Sequence, residues 1–185
     1  PISCPISARR EAAWRLISSS LWEPAASHVS RGPALPKPVL CQRHGPFPMR
    51  IAVLADIHAN REANEAVLEA VRELAPDRII LLGDLVGYGP DPVYAVETAA
   101  RLVEDGALCI QGNHDEAAAS DGPVRMTPNA RAAMIWTRAQ LTPAHRGFLA
   151  GLPLTADLGD TSFVHASAFD PPGWNYVSDA GAARR

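Results

Sequence analysis

Nowhere in this 185-residue chain do about eighteen apolar residues run together, so no helix that crosses a bilayer is expected. Cysteine is scarce. Cys4, Cys41 and Cys109 are odd in number and far apart, which excludes a disulfide framework and a thiolate metal pair. Such usage fits a reducing, cytoplasmic setting. Nor is there an excess of positive charge: the net charge is −3 and the pI near 6.1. Electrostatic affinity for nucleic acid or an anionic membrane surface is therefore not expected.

What is present is apolar material, 47% of residues, enough for the core of one domain with or without an appendage. Residues 1–48 stand apart from the rest. They hold eight of the seventeen prolines and a net charge of +4, against −7 for the remaining 137 residues. Only Arg9 to Trp22 has helical character there, and the segment as a whole cannot bury enough apolar surface to offset its ordering entropy. An Arg- and Ser-bearing stretch poor in acid admits a transit-peptide reading. The favoured reading is that Met49, directly before the first strand, is the natural start, with 1–48 as upstream sequence and 49–185 as the folded domain.

From Met49 the pattern alternates strand and helix. Ile51-Ala-Val-Leu-Ala reads as a short strand buried on both faces, and Arg61–Leu74 as a helix capped by Asn60. Arg78–Leu82 is a second strand, entered through Pro76. Asp91-Pro92 opens a helix over Val93–Glu104, and Ala107–Ile110 is a third strand. Thr127-Pro128 and Thr142-Pro143 repeat the cap-then-proline start for helices over 129–140 and 144–150. Leu154–Leu158 and Thr161–Val164, joined by Gly159-Asp160, read as a β-hairpin. The architecture expected is α/β with a largely parallel first sheet.

The polar residues fall where these strands end. Asp56 and His58 follow the first strand, Gly83-Asp84 the second and Gln111-Gly112-Asn113-His114-Asp115 the third, while His165 closes the later strand. Asp56, Asp84 and Asn113 are 28 and 29 residues apart, about one strand-helix unit each. In an open α/β sheet, groups past the carboxyl ends of adjacent strands share one rim, where ligands bind. A carboxylate and an imidazole two residues apart can grip a cation; alone they could equally be surface residues of an ordinary βα loop. Four strand ends marked in this way favour a site. Gly83 and Gly112 permit close backbone approach there.

Asp56-x-His58, Gly83-Asp84, Gly112-Asn113-His114-Asp115 and Val164-His165 together resemble the calcineurin-like metallophosphoesterases, over Met49 to about Val177. The Gly87-Tyr88-Gly89-Pro90 segment is similar to that of small bacterial members. The resemblance implies an α/β/β/α sandwich and hydrolysis of a small-molecule phosphodiester, phosphomonoester or nucleotide polyphosphate. It implies two divalent ions (Mn, Fe, Zn, Ni or Co) with a bridging hydroxide. On the same ground Asp56 and His58 would hold the first metal. Asp84 would bridge both through its two oxygens, and Asn113 and His165 would hold the second. His114 would be the general acid, oriented by Asp115.

Other polar and aromatic residues carry plainer expectations. His145 reads as solvent-facing, and His28 and His44 as idle members of the leader. The four tryptophans read as core or interface residues. Trp174 and Tyr176, close after His165, have pocket lining as their alternative. Asp170 reads as a turn residue before Pro171-Pro172.

The resemblance also sets an expectation that the sequence does not meet. A later Gly-x-His-type segment with one imidazole for each metal, and further strands of a second sheet, are implied; no histidine follows His165. The chain is accordingly expected to be a C-terminally incomplete member with a short second sheet. The competing functional reading is an inactive remnant that serves only as a metal-binding or partner-binding domain.

Overall fold

Three parallel strands, β1 (Ile51–Leu54), β2 (Arg78–Leu81) and β3 (Leu108–Cys109), lie side by side in that order. They come from a computed structural model that describes residues 49–124 and 126–184. The expectations for the leader, including His28, His44, Trp14 and Trp22, fall outside those residues. The register pairs Leu54 with Leu81 and Leu81 with Cys109. The three strands therefore end abreast, and the loops that follow them start from one line.

Each strand is short because it runs into a loop with positive-φ residues or into a helix. α1 (Arg61–Leu74) starts where the Asn60 side chain accepts the Ala63 N–H at 3.1 Å, as its sequence implies. It stops at Ala75, held at φ 44° before Pro76. α2 (Pro92–Glu104) and α4 (Pro128–Gln140) begin at proline, yet Asp91 and Thr127 form no side-chain cap bond. α5 (Pro143–Gly151) is capped as expected, by Thr142. His145 is not the free surface group the sequence suggests. Its Nδ1 accepts the Thr142 N–H at 3.3 Å, and its Nε2 lies 3.7 Å from Glu97 on α2. A further helix, α3 (Asn113–Ala119), begins inside the stretch read as a loop, so Asn113, His114 and Asp115 form a helical first turn.

The core gathers on β2 and the segments beside it. Ile80, Leu81, Leu85 and Ile110 are fully buried, with Val96 of α2, Met134 of α4 and Leu149 of α5. Burial of side chains of this size contributes roughly 1.5–3 kcal/mol each. β1 departs from the reading of a strand covered on both faces. Only Leu54 is buried, Ile51 and Ala52 are half-buried, and Val53 is 50% exposed. The reason is position: β1 is an edge strand of a three-stranded sheet, so its apolar run is only partly covered.

The second sheet is the antiparallel hairpin β4 (Thr155–Leu158) and β5 (Thr161–Val164), turning at Gly159-Asp160. Both of its ends are laced to the rim of the first sheet. The Gln111 N–H donates to the Pro153 carbonyl at 2.8 Å, and the His165 ring meets the Leu82 carbonyl at 2.7 Å. Among the described residues no helix is long and apolar enough to cross a membrane.

Candidate metal centre

The loops after β1 and β2 are zipped together by backbone. His58 N–H donates to the Asp84 carbonyl at 2.9 Å and Ala59 N–H to that of Leu85 at 2.8 Å. Holding this geometry puts Asp56, His58, Ala59, Asp84 and Tyr88 at positive φ, five of the eight non-glycine residues so placed among the described residues. Each such residue costs of order 1–3 kcal/mol, a cost that persists where surrounding structure over-determines the conformation. Here that structure is the loop-to-loop hydrogen bonding.

Glycine sets how closely the loops after β2 and β3 approach. A Cβ on Gly83 would strike the Gly112 backbone, and one on Gly112 would strike the Asp84 nitrogen and Oδ1. Both glycines singled out in the sequence are therefore required for space, not only for turning.

Six of the seven predicted residues, all but Asp115, then meet around the buried Asp84 carboxylate through ligating atoms or hydrogen bonds. His58 Nε2 lies 3.5 Å from Asp56 Oδ1 and 3.6 Å from Asp84 Oδ2. His165 Nε2 lies 3.5 Å from the same Asp84 Oδ2 and 3.2 Å from Asn113 Oδ1. Asp56, His58 and Asp84 offer ligand atoms all within 4.8 Å of one another. The arrangement amounts to two triads that share Asp84. One detail differs from the expected bridging through two oxygens. Asp84 Oδ1 accepts the His114 N–H at 2.9 Å, so Oδ2 alone faces both imidazoles.

Whether this donor set suits cations can be tested on the imidazoles. His58 Nδ1 faces the Val86 carbonyl at 3.0 Å and His165 Nδ1 that of Leu82 at 2.7 Å. A carbonyl can only accept, so each Nδ1 carries a proton, and Nε2 is the atom turned toward the carboxylates. That is how metal-bound histidines are oriented. Lone pairs facing acceptor oxygens repel unless something positive lies between them. At His165 a proton fills that role: the facing Asp84 carboxylate raises its imidazole to about 9 despite burial. Burial pushes the Asp84 carboxyl upward, but His165 and the His114 N–H outweigh it and leave it lowered. The residues fit divalent cations.

His114 and Asp115 sit deeper. His114 packs edge-on against His58, with ring centres 4.9 Å apart, and burial first of all lowers its imidazole. Its Nδ1 is buried without a hydrogen-bond partner. Asp115 does not orient that ring through its carboxylate, as the sequence reading supposed. Fully buried, its Oδ1 accepts the N–H groups of Leu85 at 2.9 Å and Val86 at 3.3 Å, and its Oδ2 that of Gly112 at 3.0 Å. Asp115 thus ties the loop after β2 to the start of α3. Burial, then the Asp84 charge, pushes its carboxyl up to about 7, while the three N–H donors pull the other way.

Sequence reasoning missed Tyr88, whose ring lies 4.8 Å from both His58 and His114. An aromatic residue between Gly87 and Gly89, directly after Gly83-Asp84, was the available signal. Trp174, one of the pocket-lining alternatives, lies 5.8 Å from the His165 ring and donates to Glu116 Oε2 at 2.7 Å.

The family model for calcineurin-like phosphoesterases matches residues 49–180. The chain belongs to that family. Phosphoesterases of this kind are metal-dependent hydrolases, and Asp56, His58 and Asp84 can hold a metal. A crystal structure of a metallophosphoesterase from Sphaerobacter thermophilus is 40% identical, with a TM-score of 0.61 over 73% of this chain and 53% of that one. It shows the phosphoesterase fold directly. An uncharacterized protein of Methanocaldococcus jannaschii, MJ0912, is 34% identical over 132 residues, 69% of this chain and 53% of its own length. A third relative is a crystal structure described provisionally as a diadenosine tetraphosphatase, 25% identical, with a TM-score of 0.50 over 64% of this chain and 50% of that one. The chain spans about half the length of these relatives.

Proposed function

We propose that this phosphoesterase hydrolyses a small phosphate ester or anhydride at a centre of two divalent ions, Mn, Fe, Zn, Ni or Co. Asp56, His58 and Asp84 hold one ion, and Asp84, Asn113 and His165 the other. The observation that carries this reading is Asp84 Oδ2, which faces one imidazole from the β1 loop at 3.6 Å and one from the end of β5 at 3.5 Å. When bound, such a pair neutralises phosphoryl oxygens and lowers the pKa of water toward ~7.

The chain's own groups account for positioning and for the proton. Asp84 Oδ1 fixes the His114 backbone at 2.9 Å, so the acid moves with the metal-binding carboxylate. His114 gives its proton to the leaving oxygen, help typically worth about 10²–10⁴-fold. Burial favours its neutral form in the free molecule. An anionic ester beside the ring acts in the opposite sense, so substrate arrival charges the acid. Asp115 serves by holding the Gly112 turn that presents Asn113 and His114.

A second reading rests on the ligand group of Asp56, His58 and Asp84 taken by itself: a domain that holds metal or a partner without turnover. Metal content measured with hydrolysis of bis(p-nitrophenyl) phosphate separates the two. The enzyme reading expects close to two ions and turnover, and Asp84→Asn should lose both. Metal without turnover in the wild-type chain would leave only the binding domain. Near-normal turnover in Asp84→Asn would refute the shared-carboxylate site.

A further inference from the structure

The hydrogen bonds of the centre leave the His114 ring without a tether. The ring is buried, and its Nδ1 has no hydrogen-bond partner. A working imidazole is ordinarily held through one ring nitrogen by a carboxylate or a backbone carbonyl. Asp115 is not free for this, since three backbone N–H groups occupy its oxygens. What fixes the ring is therefore packing.

That packing comes from Gly87-Tyr88 in the loop after β2. A Cβ on Gly87 would strike His114 Nδ1, so the Gly87 backbone lies directly against that nitrogen. The Tyr88 ring lies 4.8 Å from His114, tilted at 43°, and 4.8 Å from His58, nearly perpendicular at 77°. His58 and His114 meet edge-on at 4.9 Å, so the three rings close a triangle. The wall is itself fixed by backbone. Gly89 N–H donates to the His58 carbonyl at 3.0 Å and Asp91 N–H to that of Ala59 at 3.0 Å. A Cβ on Gly89 would strike those same two carbonyls, so the chain after Tyr88 is seated on the β1 loop. Tyr88 is held at φ 61°, a conformation that glycine takes freely and a bulky residue does not. The two histidines differ in what else holds them. His58 Nδ1 is bonded to the Val86 carbonyl at 3.0 Å and keeps its orientation without a ring beside it. His114 has only contact.

We propose that Tyr88 is the positioning residue of the proton donor. Packed with Gly87, it holds the His114 imidazole in the orientation that serves the leaving oxygen, while metal binding through His58 does not depend on it. The inference rests on His114 as the acid for its kinetic arm, and a second arm reads the ring directly. Tyr88→Ala should lower kcat about 10- to 100-fold on diesters with poor leaving groups, because a misplacement of about 1 Å costs up to ~10²-fold. KM and bound metal should stay near the wild-type values. Tyr88→Phe keeps the ring and should keep the rate. In a His114→Ala background, Tyr88→Ala should cost nothing further, since both changes remove the same proton transfer. In the metal-free full chain, NMR relaxation of the imidazole carbons should show His114 loosened in Tyr88→Ala but not in Tyr88→Phe, with His58 unchanged. Should Tyr88→Ala fail to fold, Tyr88→Gly, which takes this φ without strain, stands in with the same expected outcomes. A full further loss in the His114→Ala background, an equal loss in Tyr88→Phe, or a His114 ring unmoved in Tyr88→Ala overturns the proposal. The two readings fail separately. A chain without turnover whose His114 ring loosens in Tyr88→Ala supports the packing role and refutes the hydrolytic reading. Turnover with an unmoved ring does the reverse.

Discussion

Replacing Asp115 by asparagine tests whether this carboxylate holds the loops or orients His114. Its two oxygens take three backbone N–H groups: Leu85 and Val86 on Oδ1, Gly112 on Oδ2. Asparagine can keep only one oxygen. In the better orientation that oxygen serves Leu85 and Val86, and the side-chain NH₂ then faces the Gly112 N–H, donor against donor. Leaving one buried donor unsatisfied costs about 1–3 kcal/mol. Alanine orphans three donors and by the same rule costs about 3–9 kcal/mol, comparable with the whole stability of a domain. Asparagine is therefore the informative variant. With a urea m-value of about 2 kcal/mol/M, a loss of 2 kcal/mol lowers the midpoint by about 1 M at unchanged slope. The Gly112 amide should also exchange faster with solvent than in the wild type. A midpoint shift below about 0.25 M would refute the loop-holding role. Loss confined to substrates with poor leaving groups, at full stability, would return Asp115 to orienting the acid.

Gly112→Ala should cost about 1–3 kcal/mol in the same denaturation assay and weaken metal binding, because the added methyl strikes the Asp84 nitrogen and Oδ1. Gly147→Ala, in a helix with nothing within 4 Å of its Cβ, should be neutral or stabilising by up to about 1 kcal/mol. His114→Ala should retain metal, as counted by elemental analysis, and lose about 10²–10⁴-fold in rate on poor leaving groups but far less on p-nitrophenolate. Equal loss on both would remove His114 from the proton-donor role. Adding Mn²⁺ at 100 times its Kd should stabilise the wild type by about 2.7 kcal/mol, read as a rise in Tm. Chelation should reverse that rise, and Asp84→Asn should abolish it. A shift retained in Asp84→Asn would locate the ion elsewhere.

Much of the architecture was legible in the order of residues because local chemistry dictates it. Asn60 caps α1, proline opens α2, α4 and α5, and Gly159-Asp160 turns the hairpin, each through contacts a few residues apart. The residues of the candidate centre were legible for a related reason. A parallel strand-helix repeat returns each strand to the same line, so polar groups one repeat apart must share a rim. What the sequence could not decide depended on contacts between distant segments. β1 is half-open because it lies at the sheet edge, a fact set by strand order and not by its apolar run. Asp115 serves Leu85 and Val86 instead of His114 because the loop after β2 brings two free N–H groups to it. Only the tertiary structure gave Asp84 Oδ1 to the His114 N–H and turned Oδ2 toward both imidazoles. Which oxygen faces which partner is set where two glycine-bearing loops meet backbone to backbone, a contact between segments far apart in sequence.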